Sequence, residues 1–264
     1  MKVKQQIVIT DLTRMQKSNV CIAGYTKDWV CMRPVIPFRG ISEQFLHQDE
    51  RLIIRPFAII ELDFLRHTPE PPHTEDWEID QSYRQLITAQ LPEEKRLRLL
   101  EKTQSNSVAE IFGAEIHDDA GFYLKSGEGH RSLGTIRPTE FTRLIYEPKD
   151  NGKWDYRIIF KDQAARIYRL AVTDLAYRCY LDYGRIHLNY SMDEAIPQLT
   201  QVFNQRTTFL RIGLARHWDK FPDRCYLQVT GIYTFPDYLR GRNFTDFAVP
   251  CIGEDTPEYD ASLL

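Results

Sequence analysis

Short runs of β-branched and aromatic residues, spaced by polar or small ones, open the chain and return after each of two stretches of helical period. Residues 5–11, 19–26 and 29–36 follow one another as in a meander. "RLIIRPFAIIELDFLRH", residues 51–67, reads as a further strand, with Pro56 marking an edge or bulge. "TPEPPH" after it reads as a loop. Between residues 77 and 102 the period changes, with leucines set among charged residues and Pro92 breaking the pattern, so two short helices are expected. Strands resume at 135–137, 141–146, 154–160 and 166–172. Helical patches at 175–183 and 193–204 follow, then strands at 207–216 and 225–235. Such an order predicts a mostly β protein of the α+β class, built as two small barrels.

The expected division is a first barrel over residues 1–76, a helical or loop connector over 77–130, and a second barrel with a helical segment and tail over 131–264. Thr10-Asp11-Leu12 recurs as Thr173-Asp174-Leu175. Leu12-Thr13-Arg14 followed by Cys21 resembles Leu214-Ala215-Arg216 followed by Cys225. The two pairings conflict in register, so a duplication stays open.

Hydrophobic residues make up 42% and charged residues 27%, which argues against disorder. The net charge of -3 excludes a uniformly basic coat but not a local basic groove. The opening residues lack the apolar core of a signal peptide, and no run approaches the ~18 apolar residues of a membrane span. The expectation is a soluble, cytoplasmic protein with no membrane partner. Five cysteines, with no C-x-x-C pair, read as buried free thiols.

"CIAG" at 21–24, "RPV" at 33–35, "SLGTIRP" at 132–138 and "RIIFKDQAARIYRLAVTDLAYR" at 157–178, in that order and spacing, resemble the bacterial dual OB-fold-containing domain family. "LRIGLAR" and "CYLQVTGIYTF" resemble its closing hairpin. The resemblance implies two OB-like barrels and a nucleic-acid-binding role, often beside prokaryotic defence genes, and carries no catalytic motif.

An OB groove needs aromatic faces for bases and arginines for phosphates. Tyr25, Trp29 and Arg33 supply both within "NVCIAGYTKDWVCMRPV", and on an alternating strand Trp29, Cys31 and Arg33 share a face. The plainer alternative makes Trp29 core and Arg33 a structural ion-pair partner. Arg211, Arg216, Trp218 and Arg242 form a second candidate surface, against the alternative of solvated charge. Arg14, Arg137 and Arg178 are weaker candidates, and Asp11 and Asp174 read as turn or cap residues.

His117, Asp118 and His130 could hold a divalent metal, but a polar loop is the plainer reading. Serine-hydrolase, zincin and deaminase motifs are missing from the sequence, and no cofactor is expected. The leading function is therefore noncatalytic binding of single-stranded DNA or RNA, as the recognition part of a prokaryotic defence or nucleic-acid-processing system. The alternatives are a scaffold that docks a protein partner from the same operon, with the acidic residues 253–260 as a docking segment, and a metal-dependent nuclease or nucleotide-processing enzyme.

Overall fold

Five strands close a first barrel: β1 (Val3–Arg14), β2 (Asn19–Tyr25), β3 (Cys31–Val35), β4 (Ile59–His67) and β5 (Asp76–Thr88). They belong to a computed structural model that describes residues 2–15, 18–217 and 220–247. The order is β1-β4-β5-β3-β2 and back to β1. β3 and β5 are parallel, with Arg33 beside Asp76, and the other neighbours in the ring run antiparallel. β1 serves two partners in turn: Val3 to Val8 pair with β4, and Val8 to Arg14 with β2. A register shift between Ile9 and Asp11 turns it from one to the other, which is how a bulge closes a barrel. Gly24 lies opposite that bulge, where an added Cβ would stand 2.2 Å from the Val8 carbonyl oxygen. Only glycine fits so close a backbone approach.

The second barrel repeats this order with different sequence. Its strands are β6 (Leu133–Ile136), β7 (Glu140–Pro148), β8 (Trp154–Lys161), β9 (Ile167–Val172), β10 (Thr207–Leu214) and β11 (Arg224–Phe235). They run β7-β8-β9-β11-β10-β6, again with one parallel pair, β9 beside β11. Since β6 and β7 are joined by residues 137–139 alone, together they take the place of β1, with a break where β1 has a bulge. The duplication is thus one of topology, and neither pairing drawn from the sequence matches it. Thr10 lies in a first strand and Thr173 after a third, while Leu214 belongs to a fourth.

Two helices lie between the barrels in sequence, α1 (Glu93–Thr103) and α2 (Val108–Phe112). Two more, α3 (Leu175–Ile186) and α4 (Met192–Gln205), connect β9 to β10. One buried apolar cluster runs through both barrels, from Ile7, Ile22 and Ile60 to Ile158, Ile212 and Val229. Leu99 and Leu100 of α1 pack in a second cluster with Tyr25 and Phe57 on one side and Phe209 on the other.

Two expectations need correcting. The segment 77–102 is strand to Thr88 and helix only from Glu93, so the first barrel runs past residue 76. The outer part of β5 is polar and half-exposed, and its ladder with β4 has three register shifts, which erase the alternation that marks a strand. The long run 51–67 is also interrupted: Arg51–Leu52 is a separate short strand, and Phe57 turns at φ 63° before β4 begins.

Candidate anion-binding cleft between the barrels

Strands two and three of an OB barrel form its oligonucleotide-binding face. Here the β2–β3 side of the first barrel and the β8–β9 side of the second border one cleft of about 700 Å³. The rest of its wall comes from the end of β1, the middle of β11, the loop after β3, Arg178 of α3 and the residues that follow β10.

The barrels meet at its inner end. Asp11 is 2% exposed and accepts a hydrogen bond from Arg211 Nε at 3.0 Å, with Arg211 Nη2 2.8 Å away as an ion-pair contact. Thr10 and Thr230 donate their hydroxyls to the same carboxylate at 2.8 and 2.6 Å. Arg211 is fully buried and also donates to Tyr25 Oη and Thr135 Oγ1, at 2.8 and 2.9 Å. Beside this pair the Arg14 amide donates to the Thr173 carbonyl at 3.0 Å. The loop before β5 adds a clamp: the Glu75 carboxylate accepts Ser132 N, Ser132 Oγ and Leu133 N at 2.8 to 3.1 Å.

The cations that line the cleft outnumber their acids. Asp76 serves two arginines, accepting Arg33 Nε at 2.6 Å and pairing also with Arg216. Asp155 is shared between Arg157 Nε at 2.8 Å and Lys149 Nζ at 3.6 Å. Arg178 has no carboxylate partner among the described residues, and its buried Nε has no hydrogen bond. It is 6% exposed and rests over the Tyr156 ring, 4.3 Å from the centroid. Local structure fixes it there. Asp174 caps α3 by accepting Ala176 N and Tyr177 N at 2.9 and 3.1 Å, and holds β11 through Ile232 N at 2.8 Å. Arg178 comes one turn later, on the helix face that buries Leu175 and Leu181. A buried cation with no counter-charge is costly, and an anion brought to it relieves the cost.

The neighbouring groups register this field. His73 is buried behind Arg33 and Arg216, and burial followed by those two guanidinium charges pushes its pKa down to about 2. Cys21 lines the cleft, but burial raises its thiol, and Cys31 is pushed up to about 12 by the same cause. Neither is poised as a thiolate nucleophile. Aromatic walls come from Trp154, set 4.5 Å from Tyr146 and 4.2 Å from the Arg185 guanidinium, and from Phe38, which is fully exposed at φ 64°.

The candidate residues divide accordingly. Arg33 and Arg216 line the cleft together, and Arg14 and Arg178 join them. Arg33 is also the ion-pair partner that the plainer alternative made it. Arg211 is a buried tie between barrels, and Tyr25 is its hydrogen-bonding partner rather than a stacking face. Trp29 is neither core nor on the strand of Arg33; it turns at φ 64° between β2 and β3, 43% exposed and away from the cleft. Arg242 packs over Phe247 elsewhere on the surface, 4.5 Å from the ring centroid, and Trp218 lies outside the described residues. Asp174 is a cap, but Asp11 is the buried partner of Arg211.

His117 stacks on Tyr123 at 5.1 Å, the His130 ring packs against Gly113, and no group of three ligand side chains forms among the described residues. The metal-dependent reading thus has no assembled site there. Lys149, Trp154, Arg157 and Phe38 were missed by sequence reasoning. Arg178, one of the weaker candidates, carries a further signal as a charged residue on the face of α3 that buries Leu175 and Leu181.

The family model of the dual OB-containing domain matches residues 5–232, a span that takes in both barrels and every strand of the cleft. The chain belongs to this family. No curated protein matches it. In this dual OB protein the family match accords with the resemblance read from residues 21–24, 33–35, 132–138 and 157–178, and with the two barrels in the fold. No helix among the described residues is long and apolar enough to cross a membrane.

Proposed function

We propose that this dual OB protein binds single-stranded nucleic acid, with phosphates held in the cleft between its barrels. The observation that carries the reading is the charge arrangement: two carboxylates divided among four cations, and Arg178 buried with none. Such a wall attracts a polyanion while the protein as a whole stays at -3. In a cell the reading makes the protein a recognition component of a nucleic-acid-processing or defence system.

Fluorescence anisotropy with labelled single-stranded DNA, single-stranded RNA and duplex DNA at low and high salt tests it. Salt-sensitive binding to single strands, weakened in Arg178→Ala and Arg216→Ala, is expected. Binding to none of them by the folded protein would refute it. A protein-partner role finds support in a different place, where Ile186, Leu188 and Tyr190 expose 43 to 52% of their surface at the end of α3 and just beyond it. Crosslinking that maps to these residues, and is unchanged by Arg178→Ala, would support that role.

A further inference from the structure

The cleft is bounded as well as basic. Asp11, Thr13, Thr173 and Thr230 are among its lining residues and also among the contacts that join the barrels. Its inner end is therefore closed by a seam of hydrogen bonds. Its volume of about 700 Å³ falls within the range of small-ligand pockets, roughly 300–1,000 Å³. An open OB groove instead follows a backbone for about 4 to 16 nucleotides.

Phe38 stands at the rim with its ring fully exposed and its backbone at φ 64°, a conformation that a bulky side chain adopts only when its surroundings impose it. An apolar ring held in water against its backbone preference, beside a pocket whose Arg178 has no acid, suits one ligand chemistry. A flat base would cover the ring while its phosphate met the guanidinium.

We propose that the cleft is a pocket for a nucleoside phosphate of one or two units, with the base on Phe38 and the phosphate at Arg178, Arg33 and Arg216. This rests on the nucleic-acid reading and narrows it: the unit is either the terminus of a strand or a free nucleotide, rather than an internal stretch.

The test is competition on the full chain. A labelled single strand of about ten nucleotides, within the ordinary OB site size, is challenged in turn with thymidine monophosphate, with the dinucleotide pTpT and with circular single-stranded DNA, which has no ends. The pocket predicts that pTpT competes and the circle does not. Strong competition by the monophosphate, with weak binding of the labelled strand, assigns the pocket to free nucleotides; the reverse assigns it to strand ends. Phe38→Ala, at a fully exposed position that leaves the core untouched, weakens pTpT by about five- to a hundredfold and leaves inorganic pyrophosphate unchanged. Arg178→Ala weakens both by more than about tenfold. A circle that binds as tightly as the linear strand, with pTpT inert, overturns the pocket and leaves nucleic-acid binding standing. Failure of every ligand, the linear strand included, overturns both.

Discussion

Asp11 of the first barrel and Arg211 of the second meet at 2.8 Å in the interior, 2% and 0% exposed at their side chains. The pair joins two units whose sequences share little, and its satellites Thr10, Thr230, Thr135 and Tyr25 fill most remaining lone pairs and protons. Removing one partner strands a buried charge, so Arg211→Met or Asp11→Ala costs about 3–5 kcal/mol. The double change recovers part of that loss, because no lone charge is left. Urea melts of the three variants measure it, and single losses below about 1 kcal/mol would mean that water reaches the site.

Two buried groups titrate in opposition. Burial pushes Asp174 up to about 7 against the pull of three backbone N–H donors, while His73 is pushed down to about 2 by burial and then by Arg33 and Arg216. Between about pH 4 and 7 folded Asp174 keeps a proton that the unfolded chain releases, so its contribution falls as pH rises, by about 1.4 kcal/mol per unit. Below about pH 6.5 the unfolded chain protonates at His73 and the folded one does not, so that contribution falls as pH drops, at a similar slope. The two cancel across the overlap. Asp174→Asn therefore makes the protein acid-sensitive below about pH 6.5, and His73→Phe makes it less stable as pH climbs from about 4 to 7. Melting temperature against pH for the two variants separates them, and parallel curves would remove this assignment.

The strands were legible because ten short β-branched or aromatic runs dominate the chain, and β5 was lost because its bulged, polar outer half follows no period. The site was harder to read. Arg211 and Asp11 each sit as the lone charge in an otherwise apolar run, "FLRIGL" and "VITDL", and a strand buried on both faces has no wet side for a charge. That pattern announces a buried pair. It does not tell which acid meets which base, because the partners lie 200 residues apart. Arg33 reads from its strand as a groove arginine or an ion-pair partner, and only the parallel pairing of β3 with β5 brings it to Asp76. Phe38 has no periodic signal at all, since its exposure and φ are properties of a turn.

Gly24 tests the bulge. An alanine there places its Cβ 2.2 Å from the Val8 carbonyl oxygen and 3.1 Å from Ile9 Cα, both main-chain atoms that cannot swing aside. The expected result is a loss of about 1–3 kcal/mol, the overpacking range, with β1 pushed from β2. Hydrogen exchange at Ile22 and Ala23, which lie opposite Leu12 and Asp11, should accelerate first. Exchange that speeds up equally in β7 and β8 would instead mean that the barrels melt as one.

The cleft itself predicts a count. For single strands the logarithm of affinity falls with the logarithm of salt by ~0.7 for each phosphate neutralised. Arg178, on α3, and Arg216, after β10, both line the cleft, so each alanine substitution removes a charge that meets the bound phosphate and lowers the slope by up to ~0.7. Trp29→Ala leaves slope and affinity unchanged, because Trp29 turns at the far end of the β2–β3 hairpin from the lining residues Val20 and Val35. Arg211→Met lowers stability yet should leave the slope alone in the folded protein, since the charge it removes is already matched by Asp11. A slope that falls with Trp29 or Arg211 and not with Arg178 would move the phosphates out of the cleft.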